Sequence, residues 1–188
     1  VGARKAAYFE REAEVTVISR SFSPALDDLA IQRKEVDLST LEDEALDRLL
    51  QNAFLVVAAT SDPDLNDRIG RLCADAGVLF NNAAGEAGDV TIPSIIRGRN
   101  YLVAISTLGK SPAVSRYIRM RLEAEYADLD LMIDLQDEIR SALKDIEPVQ
   151  ERRSRALWSV LRDEEIWRTL ASDYDLARAL AMERYLHA

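Results

Sequence analysis

The chain has 188 residues, 48% of them hydrophobic and 30% charged, with a net charge of -9. That is enough for one large domain or two small ones with an ample core, and the acidic balance argues against general nucleic-acid binding, which wants a basic face. A single cysteine excludes an intrachain disulfide, one cysteine and one histidine cannot build a usual zinc site, and no apolar run is long enough for a membrane span. No metal and no membrane are expected, and without a visible signal peptide the cytoplasm is the default location.

Residues 1–11 place alanines and aromatic residues at helical spacing, with Arg4, Lys5 and Arg11 among them. The chain opens inside this helix without a methionine, which predicts that a further N-terminal piece precedes Val1 in the natural protein. Glu14-Val15-Thr16-Val17-Ile18 is a β-branched run of strand length, ended by Ser19-Arg20-Ser21-Phe22-Ser23-Pro24. A short strand is expected over 34–37. Ser39 or Thr40 then caps a helix carrying Leu41, Ala45, Leu46, Leu49 and Leu50. Phe54-Leu55-Val56-Val57-Ala58-Ala59 reads as a strand buried on both faces. Ser61-Asp62-Pro63 opens a helix over 64–76 that Gly77 closes, and Val78-Leu79-Phe80 is another short strand. Cys73 falls on the apolar stripe of that helix, with Ile69, Leu72 and Ala76, as a buried small residue rather than a reactive thiol.

Strands alternating with helices at this spacing imply a parallel sheet in an α/β fold, whose ligands bind beyond the carboxyl ends of the strands. Those ends are Ser19-Arg20, Thr60-Ser61 and Asn81-Asn82. A doubly wound sheet places its first strand centrally, so that strand is expected upstream of Val1. The loop over 79–93 holds two asparagines, two glycines, Glu86 and Asp89, at the mouth of the sheet. Beyond it, strands are expected over 90–92 and 101–106, joined by a hairpin turn through Arg97-Gly98-Arg99-Asn100. From about Ala113 the chain reads as helical to its end, with a break at Pro148.

Between Val90 and Leu122 there is no Asp or Glu, and Arg97, Arg99, Lys110, Arg116, Arg119 and Arg121 are all basic. Such a span in an acidic chain suits a ligand with several carboxylates or phosphates, or acids of the helical tail or of a second subunit. Ser111-Pro112 adds the N–H groups of a helix start. Arg20, flanked by Ser19 and Ser21, occupies the position where an Arg accommodates the 2′-phosphate of NADP. No nucleophile–base pair is visible, and His187 lies too near the terminus for a catalytic base. Asp89 and Glu86 are the candidate acid/base groups.

These segments resemble the precorrin-2 dehydrogenase family, also found as the N-terminal part of siroheme synthases. Val1-Gly2-Ala3-Arg4-Lys5 is similar to the end of its Gly-Gly-Gly-x-Val-Ala/Gly-x-Arg-Lys segment. Residues 54–60 with Asp64-Leu65-Asn66 resemble its Ala-Ala-Thr-x-x-x-x-x-Asn signature. Ile92-Pro93-Ser94 and the run from Ile105 to Arg116 resemble its Ile-x-Pro and Ile-Ser-Thr-Gly-Gly-x-Ser-Pro-x-x-x-Arg segments. The likeness spans residues 1 to about 123.

The resemblance implies a Rossmann-like domain over 1–90, a dimerisation and substrate-binding segment over 91–122 and a helical domain over 123–188. It implies oxidation of precorrin-2, a tetrapyrrole with eight carboxylates, to sirohydrochlorin by NAD or NADP in a homodimer. Gly2, Ser19, Arg20, Thr60, Asn66 and Asn81 would border the cofactor. Asn81, Asn82 and Asp89 would face the reacting ring, with Asp89 and Asn82 catalytic. Arg97, Arg99, Lys110, Ser111 and Arg116 would meet substrate carboxylates or the partner subunit. The family commonly carries Asn-Val-Val-Asp in the loop, whereas this chain has Asn81-Asn82-Ala83-Ala84, so Ala84 replaces the carboxylate and metal insertion is not expected. The alternative is a carrier or regulatory protein of the same fold that binds tetrapyrrole or dinucleotide without catalysis.

Overall fold

The computed structural model describes residues 1–83 and 88–186, and the chain divides into two compact units, Val1–Ile92 and Pro93–Ala188. In the first unit, helix α1 (Gly2–Phe9) leads to strand β1 (Thr16–Ser19), which pairs in parallel with β2 (Gln32–Glu35). Helix α2 (Asp43–Leu50) precedes β3 (Leu55–Ala58), helix α3 (Pro63–Ala76) and β4 (Leu79–Asn82), and β3 and β4 also pair in parallel. The α/β alternation is as the hydrophobic pattern predicts. The local details differ in four places. The strand expected over 54–59 with both faces buried takes only Leu55–Ala58, buries fully only Ala58 and leaves Phe54 82% exposed, because among the described residues it pairs with β4 alone. Ser39 and Thr40 lie in a 3-10 turn capped by Asp37, and α2 starts later, at Asp43. The second strand takes residues 32–35 instead of 34–37. Residues 90–92 are not a strand, because the Val90 N–H is already bonded to Phe80 O and Pro93 has no N–H to give.

Helix α3 shows why a sequence of this kind folds where it does. Asp62 caps it, accepting the N–H groups of Asp64 at 3.0 Å and Leu65 at 3.2 Å, and Pro63 fills the first position, where no N–H is needed. Gly77 ends it in the left-handed conformation at φ 69°, which glycine adopts without strain. At Gly70 the helix presses onto β4: a Cβ there would lie 2.7 Å from the Phe80 ring. Ile69, Cys73, Phe80, Ala58 and Leu50 form the core beneath, and Cys73 is fully buried.

The second unit opens with an antiparallel hairpin, β5 (Ser94–Arg97) and β6 (Leu102–Ile105), followed by α4 (Pro112–Glu125), α5 (Leu129–Ile146), α6 (Gln150–Arg162), α7 (Glu164–Leu170) and α8 (Tyr174–Tyr185). Met132, Leu135, Ile139 and Leu143 recur every three or four residues along α5 and bury against Val160, Ile166, Leu170, Ala177 and Ala181. The two alanines of α8, one turn apart, let its backbone come close to α5 and α6.

Polar ties close this helical core. Glu138 accepts the Tyr174 hydroxyl at 2.9 Å and pairs with Arg178. The Arg178 hydrogen bond, then that of Tyr174, holds the Glu138 carboxyl below its ordinary value of 4.5. A carboxyl lowered by folding adds stability that is whole above its unfolded value and is lost as pH falls through the folded one. The melting temperature of the chain, followed by circular dichroism, is therefore expected to drop between about pH 5 and about pH 3, and Glu138→Gln to flatten that drop. A slope unchanged by the substitution would show that Glu138 contributes nothing.

Candidate active site

Helix α3 begins at the carboxyl edge of the β3–β4 pair, so its first turns stand beside the strand ends. Asn66, fully buried, turns its amide onto Thr60, the second residue beyond β3. Its Oδ1 accepts the Thr60 N–H at 3.1 Å and the Thr60 hydroxyl at 2.7 Å, while its Nδ2 donates to Thr60 O at 3.3 Å. Asn66 thus braces the turn that presents Thr60, which the sequence places at the cofactor. One residue further on, Asp67 accepts Asn82 Nδ2 at 3.1 Å, which joins the helix to the last residue of β4.

The neighbouring Asn81 is also held inside. It is 8% exposed, and its amide is engaged at both ends: Lys5 Nζ donates to Oδ1 at 2.8 Å and Nδ2 donates to Val90 O at 2.6 Å. Burial, and then the charge of Arg4, hold the Lys5 ammonium below its ordinary range. A chain of hydrogen bonds therefore runs from α1 through the end of β4 to the segment that leaves the first unit. Lys5 is a residue the sequence reading left without a role; its place in the Arg4-Lys5 pair, on the helix that opens the unit, was the available signal.

Asp89 is held by the edge of β4. The returning chain bridges Asn81 with Gly88, after which Phe80 O accepts the N–H groups of Asp89 at 2.8 Å and Val90 at 3.0 Å. The Asp89 carboxylate accepts the Phe80 N–H at 3.1 Å. It lies back along the edge of β4, away from the strand's carboxyl end, and it closes the return of the loop. Gly88, at φ 156°, is needed there: a Cβ would sit 3.0 Å from Phe80 O. Ala84, Glu86 and His187 lie outside the described residues.

Gly2 starts α1 beside the end of β3, where a Cβ would meet the Ala59 Cβ at 3.9 Å. No side chain caps this helix, and its first turn carries only small residues before Arg4. Such an open N-terminus offers backbone N–H groups and the positive end of the helix dipole to a phosphate. Ser19 ends β1, in the other strand pair, and Arg20 follows it. Arg20 stays largely exposed, 3.8 Å from Asp37. An uncapped helix start, small residues, hydroxyls and an exposed arginine at strand ends form a donor set that fits a dinucleotide.

In the second unit the basic residues divide. Asp130 accepts the N–H of Arg99 at 2.9 Å and of Asn100 at 2.8 Å, Asp134 accepts Asn100 Nδ2 at 2.7 Å, and the Arg99 guanidinium pairs with Asp134. The hydrogen bond from the Arg99 backbone leads in holding the Asp130 carboxyl below its ordinary value. Arg99 is thereby engaged within the unit. Arg119 pairs with Glu123 at 2.7 Å. Ser111 caps α4, accepting the Val114 N–H at 3.4 Å, and the Thr107 hydroxyl binds its backbone on both sides. Among the described residues Lys110 and Arg116 pair with no carboxylate. Around them α4 and β6 expose Leu102, Val114, Tyr117, Ile118 and Met120.

The first unit is an α/β domain built to bind a dinucleotide, and residues 1–94 match a family model described as NAD(P)-binding. The precorrin-2 dehydrogenase of Methanosarcina barkeri is 40% identical over 185 residues, which cover 94% of this chain and 81% of that protein. Siroheme synthase 1 of Klebsiella pneumoniae is 39% identical over 114 residues, 60% of this chain and 24% of that longer protein. Among solved structures, SirC, precorrin-2 dehydrogenase, superposes with a TM-score of 0.69 over 100% of this chain and 90% of its own, at 20% identity, which is a likeness of fold. The chain belongs to the precorrin-2 dehydrogenase family. Among the described residues no helix is long and apolar enough to cross a membrane, and no group of three or more His, Cys, Asp or Glu could hold a metal ion.

Proposed function

We propose that the chain oxidises precorrin-2 to sirohydrochlorin with NAD(P)+ in siroheme biosynthesis. The observation that carries this reading is the 40% identity to a precorrin-2 dehydrogenase along 94% of the chain. It is supported by the meeting of the α1 start with the ends of β3 and β4. When bound, the dinucleotide supplies the hydride acceptor. The N–H groups at Gly2 and Ala3 would hold its pyrophosphate, Ser19 and Arg20 its adenosine end, and Thr60, set by Asn66, would border it as well. Asn82 faces the reacting ring, and alignment of ring and cofactor supplies much of the rate.

Lys110, Ser111, Arg116 and Arg97 receive substrate carboxylates. The exposed apolar row of α4 and β6 is covered by a second copy of the chain, a homodimer that sedimentation equilibrium tests; a monomer at micromolar concentration would refute it.

Appearance of NADH or NADPH absorbance on mixing the protein with precorrin-2, accompanied by the sirohydrochlorin spectrum, tests the reaction. No turnover with either cofactor would sink it.

A further inference from the structure

We propose that Asp67 is the carboxylate that accepts the proton lost in the dehydrogenation. The proposal rests on the reaction read above. In that reaction one ring C–H bond breaks and its electron pair leaves with the hydrogen as hydride, reducing NAD(P)+. A second hydrogen leaves the macrocycle as a proton, and the electrons of its bond stay in the extended conjugation. That proton needs an acceptor beside the ring, at the carboxyl edge of the strands.

Among the described residues the carboxylates at this edge are few, and most are engaged. Asp62 is held by the first N–H groups of α3. Asp89 is held by the Phe80 N–H, back along β4. Asp64 makes no contact with a strand end among the described residues. Asp67 is exposed, and among the described residues the one hydrogen bond to its carboxylate comes from a neutral amide, Asn82 Nδ2 at 3.1 Å. No arginine or lysine pairs with it among the described residues. The Asn82 amide binds one oxygen, Oδ1, and so ties the exposed carboxylate to the end of β4. Sequence spacing does not reveal this, since the two residues are 15 apart and sit on different elements. In the proposed step an O–H bond forms on Asp67 as the ring loses its proton, and solvent then takes the proton from the exposed carboxyl.

The test uses the whole chain with precorrin-2 and NAD(P)+. Asp67→Asn keeps an oxygen for Asn82 and removes the charge. It is expected to lower kcat about 100-fold or more while KM and sirohydrochlorin affinity, titrated by absorbance, stay within about threefold. Asp67→Glu is expected to recover part of the rate, and added formate to revive Asp67→Ala, as only a missing carboxylate would allow. Asp67→Asn with a kcat within about threefold of wild type, or a loss borne by KM and product affinity instead, overturns the assignment. Should the Asn variant fail to fold by circular dichroism, the formate response of Asp67→Ala decides, and no response overturns it. A wild type without turnover refutes the reaction and this role with it; an active wild type beside an unimpaired Asp67→Asn refutes Asp67 alone.

Discussion

Asn66→Ala is expected to cost the first unit about 2–4 kcal/mol of stability and to weaken cofactor binding at least about tenfold. The side chain is fully buried and makes three hydrogen bonds to one residue, Thr60. Its loss leaves the Thr60 N–H and carbonyl without their partner in a part-buried turn and opens a small void where the fully buried side chain stood. An unmade buried bond costs about 1–3 kcal/mol, so this penalty exceeds the net worth of one ordinary bond. Thr60→Val removes the hydroxyl alone and is expected to cost about 1 kcal/mol. Urea unfolding followed by circular dichroism measures both, and fluorescence titration with NADH measures binding. An Asn66→Ala protein within about 0.5 kcal/mol of wild type would mean the turn holds without its brace.

Gly98→Val is expected to be the most damaging single change in the hairpin, by about 2–4 kcal/mol. A Cβ at Gly98 would lie 2.0 and 2.4 Å from two Tyr101 ring atoms and 2.7 Å from Asp130 Oδ2. The ring could swing away by itself. The carboxylate could not do so without releasing the Arg99 and Asn100 N–H groups that it accepts. The hairpin would then lose its hold on the first turn of α5. Arg99→Ala serves as the contrast: it removes an exposed ion pair, worth at most about 1 kcal/mol, and leaves the Asp130 clamp in place. Thermal melts of the two variants, with near-ultraviolet dichroism reporting the Tyr101 environment, are expected to separate clearly. A Gly98→Val melt coinciding with that of Arg99→Ala would show that the clamp adjusts freely.

What could be read from the sequence was whatever depends on neighbours along the chain. Asp62, Pro63 and Gly77 mark both ends of α3 by local chemistry, and Ser111-Pro112 marks the start of α4 in the same way. The apolar run at 54–59 and the stripe of α5 gave a strand and a buried helix for the same reason. The misplaced strand over 90–92 shows the limit: its composition suits a strand, but the Val90 N–H is claimed by Phe80 from outside the segment. The site depends even more on distant pairs. Lys5 and Asn81 are 76 residues apart, and neither residue type announces the other. Asp89 looked like an acid at the mouth of the sheet because loop position is legible while the direction of the returning chain is not. Family likeness named the asparagines, and only geometry divided them into Asn66 and Asn81, which hold the chain, and Asn82, which ends the strand with a carboxylate partner.

The fully buried Cys73 gives the molecule a built-in clock. Its thiol, pushed up to about 11 by burial and then by the charge of Asp89, is ionised in only about one molecule in ten thousand at pH 7. A thiol reagent therefore has almost nothing to attack until α3 lifts away from Phe80. Because the chain contains no other cysteine, each label taken up records one such opening, and the rate of labelling reads how often the floor beneath the strand ends gives way.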